Sequence, residues 1–359
     1  LRCRRDAAVH AVSLPHVNGL RAMLKTILLR LAAAIPNLIG VVVVTFLLTR
    51  ALPGDPAAYF AGAAATQEAV EEVRRALGLD KPLIEQFFLY LADLARGNLG
   101  VSLTTGQPVA SEILLRLPAT LELVLAGLLL ATVIALPLGV LAATRPNSWI
   151  DHACRVITTA GVSLPVFFTG LLFAYVFYYL LGWAPAPLGR LDPIFSPPPS
   201  LSGLYTLDAL LAGDGATFWA AFKQIVLPAC TLALFVLAPI ARMTRASMLA
   251  VLGSDFIRTA RASGLSSTTV LVRYALRNAL LPVVTTLGMV FGFMLGSSVI
   301  IEKVFSWPGV GAYALDALTL SDYAPIQGFV LTMGVLFVLL NLLVDLAYTV
   351  IDPRVRIEG

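Results

Sequence analysis

The chain has 359 residues, of which 58% are apolar and 13% charged, with a formal net charge of +4. That charged fraction is about half of what a soluble globular domain carries, which excludes an ordinary water-soluble enzyme and places the chain in the membrane class. Cys3, Cys154 and Cys230 have neither metal-ligand spacing nor an even count, which argues against a zinc site or a disulfide framework.

Residues 1–22 contain Pro15 and Gly19 without apolar periodicity and read as a poorly ordered extension ahead of Met23. The first apolar run, Leu31 to Thr49, is too long for the core of a signal peptide and reads as a full span. Five more windows lack Lys, Arg, Asp and Glu: Leu123 to Thr144, Val156 to Gly189, Gln224 to Ala241, Asn278 to Ile301 and Tyr323 to Val344. Since roughly 20 residues cross the hydrocarbon as helix, each window holds one span. The expectation is an all-α membrane protein, with a transmembrane domain over 23–356 and six helices at about 27–49, 120–144, 156–182, 225–241, 279–301 and 326–351.

Charge orients these spans. With both termini in the cytoplasm, that side holds 16 Lys/Arg against 5 Asp/Glu, and the other side holds 9 against 14. Orientation in the membrane therefore accounts for the positive charge without nucleic acid. The first outer segment, 50–116, holds two short helices. Thr66 to Leu77 has an N-cap, early acids, late Arg74 and Arg75 and the stop residue Gly78; Leu83 to Ala95 has the same character. The second, 183–224, carries Pro185, Pro187, Pro193, Pro197, Pro198 and Pro199 and reads as extended or turn structure. In the third, 302–325, Trp307 and Tyr313 flank Pro308, Gly309 and Gly311. Two readings stand there: aromatics in the headgroup belt, or a loop reaching toward an external partner.

Within the spans, Gly288, Gly292 and Gly296 recur every four residues, which strips one face of the fifth helix for close packing or for a pathway that opens and shuts. Asn341, Asp345 and Tyr348 share a face of the last span, with Asp345 about 9 Å deep at 1.5 Å per residue. A charge at that depth faces protein or water, as an interhelical hydrogen-bonding group or as part of gating. Glu122, after Pro118 and Thr120, is expected in the first turns of the second span, where the helix N-terminus favours a carboxylate. No lysine follows a glycine, which removes a GxxxxGK[ST] phosphate loop, and HExxH and GxSxG are also absent. The chain is therefore not expected to be an enzyme or to bind a cofactor or metal itself.

The segment Asp255 to Pro282, within the expected cytoplasmic loop 242–278, carries Arg258, Arg261, Arg273 and Arg277 against the single acid Asp255. It resembles the EAA loop of inner-membrane permease subunits of bacterial ATP-binding-cassette importers, in the form used by the peptide, nickel and opine group. Arg258, Thr259 and Ala260 stand where that pattern has E-A-A, ahead of Gly264. Arg258 in place of the glutamate, and Pro282 coming 18 residues after Gly264, are departures characteristic of the peptide-type subgroup. The likeness runs from Met23 to Arg356 and includes Pro53-Gly54-Asp55-Pro56, Leu117-Pro118-Ala119-Thr120-Leu121-Glu122, Ser163-Leu164-Pro165, Arg242 with Thr244-Arg245-Ala246-Ser247-Met248, Glu302 with Val304-Phe305-Ser306-Trp307-Pro308-Gly309, and Asn341-Leu342-Leu343-Val344-Asp345. The long proline-rich loop is similar to those of dipeptide or glutathione permeases more than nickel ones.

The resemblance implies a type I importer permease fold in the bacterial inner membrane. It implies a homologous second permease, two cytoplasmic ATPases that bind ATP and magnesium, and a periplasmic or lipid-anchored solute-binding protein. Asp255, Phe256, Arg258, Thr259, Ala260, Arg261, Ala262, Gly264 and Leu265 would form a coupling helix seated on one ATPase. Phe305, Trp307, Pro308 and Gly309 are candidates for docking the binding protein, and Gly288, Gly292, Gly296, Asn341 and Asp345 for helix packing or the pathway. The expected cargo is a short peptide; a nickel chelate, glutathione or a stand-alone secondary transporter are the competing readings.

Overall fold

Hydrocarbon offers backbone N–H and C=O groups no water, so a chain that crosses it closes its hydrogen bonds within each segment. The computed structural model describes residues 32–33, 35–47, 50, 55–62, 64–320 and 322–351. Among these residues the regular structure is helical, apart from an isolated bridge between Val101 and Pro108. The expected extension 1–22, Met23, Pro53-Gly54 and the tail 352–356 lie outside the described residues.

In chain order the helices are α1 (Ile35–Leu47), α2 (Pro56–Ala61), α3 (Gln67–Ala76), α4 (Leu83–Ala95), α5 (Val109–Thr144), α6 (Trp149–Ser163), α7 (Val166–Phe173), α8 (Tyr205–Leu211), α9 (Gly215–Leu252), α10 (Asp255–Ala262), α11 (Ser267–Thr269), α12 (Arg277–Val304), α13 (Val310–Thr319) and α14 (Tyr323–Ile351). A π-helical stretch, Ala174–Leu180, continues α7, and another, Val270–Leu276, joins α11 to α12. Among the described residues, four helices are long and apolar enough to cross a membrane: Val109–Thr144, Gly215–Leu252, Ser267–Val304 and Tyr323–Val344. Ile35–Leu47 and Val166–Leu180 are shorter apolar helices.

Helix ends do not coincide with the expected span ends. The second span is not a helix from about 120; α5 starts at Val109, inside the segment read as 50–116. The third, read as 156–182, is two helices, because Pro165 supplies no N–H and Leu164 is extended (φ −108°, ψ 143°). The 242–278 loop is mostly helix: α9 runs on through Arg242 and Arg245 to Leu252, and helix resumes at Ser267. Charge ends an apolar window without ending a helix, since arginine is a good helix former. The 302–325 segment contains α13. The two outer helices fall at Gln67–Ala76, with Thr66 Oγ1 accepting from Ala69 N at 3.3 Å, and at Leu83–Ala95.

The centre of the bundle is the pair α5 and α9. Along α5, Gly127, Ala131, Ala135, Gly139 and Ala143 recur every four residues and are all buried. A Cβ on Gly127 would come within 3.1 Å of Leu232 Cβ, and one on Gly139 within 2.6 Å of Thr244 Cβ and 2.8 Å of Ala241 O. Lipid tails are as apolar as leucine side chains, so helices in hydrocarbon associate by close backbone approach and polar ties. Around this seam, α12 places Val283, Val290, Phe291, Met294 and Leu295 in the same core. The glycines of α12 serve two neighbours differently: added Cβ atoms would meet Val344 at 2.6 Å from Gly288 and Phe337 at 3.0 Å from Gly292, both on α14, whereas Gly296 faces open space.

Gly139→Val is expected to lower stability by about 1–3 kcal/mol through overpacking, whereas Gly296→Ala should stay within about 0.5 kcal/mol of wild type. Thermal unfolding in detergent checks both, and equal effects at the two glycines would contradict the seam.

Candidate functional site

At one end of the bundle, α10 is a two-turn amphipathic helix. Asp255 sits in its first turn and Arg261 in its last, each at the end its charge favours. Gly264 turns the chain out of the helix at φ +78°, and Leu265 N reaches back to Ala260 O (3.4 Å). Ser266 then caps the next helix, its Oγ accepting from Thr269 N. One face points inward: Ile257 is fully enclosed and Ala260 nearly so, in a cluster with Met248 of α9, Ala143 of α5, Val270 and Ala275 of the π turn and Ala279 of α12. The other face is open, with Phe256, Arg258, Thr259, Arg261 and Ala262 exposed and Arg258 held only by Asp255 at 3.2 Å. Beside α10 lies a cavity of about 450 Å³, lined among others by Thr144, Leu249, Leu252, Arg261 and Val270.

The same end carries a charged clasp. Asp151, in the first turn of α6 ahead of the apolar part of the third span, is fully enclosed. Arg245 of α9 grips it with two parallel bonds, Nε to Oδ1 and Nη2 to Oδ2, both 2.7 Å. Asn147 N donates to Oδ2 at 3.1 Å, and Arg155 Nη2 stands 3.7 Å away. The guanidinium of Arg245 holds the Asp151 carboxyl down at about 2, burial opposing it.

At the opposite end, two buried carboxylates tie loops to helices. Glu302 of α12, fully enclosed, accepts from Thr120 Oγ1 of α5 (2.6 Å) and Ala312 N of α13 (2.8 Å). Thr120 Oγ1 in turn accepts from Val310 N (2.9 Å), and Trp307 Nε1 donates to Ala119 O (2.8 Å). A Cβ at Gly309 would run into the Glu302 carboxylate, and one at Gly311 would meet both Val299 Cα at 2.8 Å and Glu302 Oε2 at 2.9 Å. Glu122, thirteen positions into α5, is not at a helix N-terminus; the expected dipole contact is replaced by an ion pair. Arg190 Nη2 lies 2.5 Å from Oε2, and Thr206 donates both N and Oγ1 to Oε1 at 2.7 Å. Arg190 also bonds Gly203 O and lies over the Tyr205 ring, which fastens the proline-rich loop to the bundle.

Of the docking candidates, Phe305, Trp307 and Gly309 are buried and Pro308 is exposed; Trp307 and Tyr313, the two aromatics of the headgroup-belt reading, are both buried among protein side chains. Of the pathway candidates, Gly288 and Gly292 pack on α14 and Asn341 is exposed, while the side chain of Asp345 lies outside the described residues. Thr120, Arg190, Arg245, Asp151 and the ladder on α5 were missed as structural partners. The one available signal was Arg190, the sole basic residue of 183–222.

The sequence matches the model of the binding-protein-dependent transport system inner membrane component over residues 135–357, and that of its N-terminal region over 23–124. It is 45% identical over 320 residues to the probable D,D-dipeptide transport system permease protein of Escherichia coli K12, covering 89% of this chain and 94% of that one. It is 41% identical over 334 residues to a dipeptide transport system permease protein of Alkalihalophilus pseudofirmus, covering 93% and 100%. With a glutathione transport system permease protein of Escherichia coli O6:H1 it shares 39% identity, covering 93% and 99%.

Two outcomes are expected at these sites. Glu122→Ala, which strands Arg190 in the interior, should cost about 3–5 kcal/mol in thermal unfolding; a change under about 0.5 kcal/mol would show the pair to be idle. Because the Asp151 carboxyl is held low, its contribution is fully present above the ordinary value near ~4 and is lost as pH falls toward about 2. The stability difference between wild type and Asp151→Asn should therefore be constant from pH 7 to 5 and shrink only below that range.

Proposed function

Because the chain belongs to the family of binding-protein-dependent transport system inner membrane components, we propose that it is the permease half of an alternating-access importer for dipeptides. Partner ATPases supply the energy and an external binding protein delivers the cargo. The observation that carries this reading is α10: a short helix with its apolar face welded to α5, α9 and the root of α12, and its polar face open. A soluble partner that pressed on α10 would move three spans at once. The names of the dipeptide relatives support the cargo, and the 39% identity to a glutathione permease makes glutathione the compound to compare.

The reading includes six spans with both termini in the cytoplasm. The four long helices supply four spans. The third in chain order is the apolar part of α6, beyond Asp151, with α7 and its π-helical end, and the first is the apolar run containing α1. The Lys/Arg distribution supports this orientation, with α10 on the cytoplasmic side. On α12, Pro282, Thr285, Met289, Phe293, Gly296 and Ile300 form an exposed stripe between the exposed ends at Arg277, Asn278 and Lys303. We assign that stripe to the face shared with the second permease along the pathway, which leaves Gly288 and Gly292 as packing residues.

Reconstituted with its partner subunits and binding protein, the wild type is expected to take up a radiolabelled dipeptide only when ATP is supplied. Arg258→Glu should lower ATP-driven uptake by about tenfold without loss of membrane insertion, a coupling change of about 1.4 kcal/mol. Gly264→Val should act in the same direction, because a side chain at φ +78° costs about 1–2 kcal/mol. Uptake driven by an ion gradient without ATPases would overturn the proposal, and preference for glutathione would move the cargo.

A further inference from the structure

The stretch Thr244-Arg245-Ala246-Ser247-Met248 lies outside α10, yet it holds the inner end of α9 on three sides. Thr244 covers Gly139 of α5, where no Cβ would fit. Arg245 grips Asp151 of α6. Met248, fully enclosed, packs in the cluster that contains Ile257 and Ala260 of α10. Helix α6 is joined to its continuation only through the break at Leu164 and Pro165, so nothing in its own backbone makes it move with the rest of the third span. Its far end is seated by Gly161, where a Cβ would stand 2.7 Å from Leu234 O of α9. Both of these attachments lead to α9, which is the neighbour α6 packs against most, with α5 beside it; the one nearer α10 is the bidentate ion pair.

We propose that Asp151 and Arg245 are a positioning pair for transport: the clasp makes the inner half of the third span travel with α9 when α10 is pushed. The proposal rests on the importer reading and extends it to residues that touch neither ATPase nor cargo. Two parallel bonds to a planar guanidinium fix orientation as well as distance, which a single point charge does not. A clasp of this kind transmits rotation of α9 to α6. Without it, α9 turns and α6 stays behind on its hinge, so ATP is spent without a complete change of access.

The test uses the importer assembled with its partner subunits in liposomes, with the binding protein and a radiolabelled dipeptide. Asp151→Asn and Arg245→Gln are expected to lower the dipeptide moved per ATP by about tenfold while hydrolysis continues, within the usual range of coupling effects. Arg245→Lys, which keeps charge and loses the fork, should fall between, and the exchanged pair Asp151→Arg with Arg245→Asp should recover part of the loss. A wild-type ratio in Asp151→Asn would overturn the proposal; if that variant fails to assemble, a wild-type ratio in Arg245→Lys does so. Wild type without ATP-driven dipeptide uptake would count against the importer or its cargo instead. The clasp is then read from stimulation of ATP hydrolysis by the binding protein, which the variants should weaken and which, unchanged, would also overturn it.

Discussion

The seam between α5 and α9 is the constraint from which the rest of the architecture follows. Five small residues on α5 let two long helices approach until the backbone of one nearly touches the side chains of the other. In hydrocarbon there is no gain from hiding apolar surface from water, so this closeness, with its dispersion contacts, supplies what a soluble core obtains from burial. Once α5 and α9 are fixed, α12 has a single groove to occupy, and Met294 reaches the space that Gly127 leaves open.

The polar ties sit at the two ends of that seam. Glu302 with Thr120, and Glu122 with Arg190, close the end that carries the loops; Asp151 with Arg245 closes the end that carries α10. A buried charge is costly alone and geometrically demanding when paired, which makes it a poor source of stability and a good source of registry. Each tie joins elements distant in sequence: α5 to α12 and α13, α5 to the proline-rich loop, and α6 to α9. The ties thus define which loop belongs over which helix end, a choice that apolar packing alone leaves open.

How much of this was legible depended on whether the signal was local. Helix α3 could be read because its cap, terminal charges and stop glycine lie within a dozen residues of one another, and α4 because an apolar pattern there runs into Gly97. Helix α10 was expected through the family resemblance of the 255–282 segment rather than through a local cap. Helix lengths were not legible, because an apolar window closes at the first arginine, while α9 continues past Arg242 for more than two turns to Leu252. The ladder from Gly127 to Ala143 was masked because alanine passes for an apolar filler, whereas the three glycines of α12 stand out and yet serve a secondary contact. Trp307 was misread because an aromatic beside proline and glycine looks interfacial; its burial follows from Ala119 O and Glu302, residues that no local pattern connects to it.

The long helices explain how a small handle could act at a distance. Helices Gly215–Leu252 and Ser267–Val304 flank α10 in sequence, and each runs 38 residues without a break, about 57 Å at 1.5 Å per residue. The second of these carries a π turn at the level of Ile257 and Ala260, where the backbone bonds are the least regular, and Glu302 near its far end. A π turn is a place where a helix accommodates a change of register, since one residue more or less is shared among its bonds. On the importer reading, a push at α10 reaches this helix at its π turn and arrives at the Glu302 knot as a displacement of the whole helix. The knot in turn holds α13 and the start of α5. The outer closure is therefore tied by carboxylate bonds to the same two helices that the inner handle grips, which is the connection that alternating access needs.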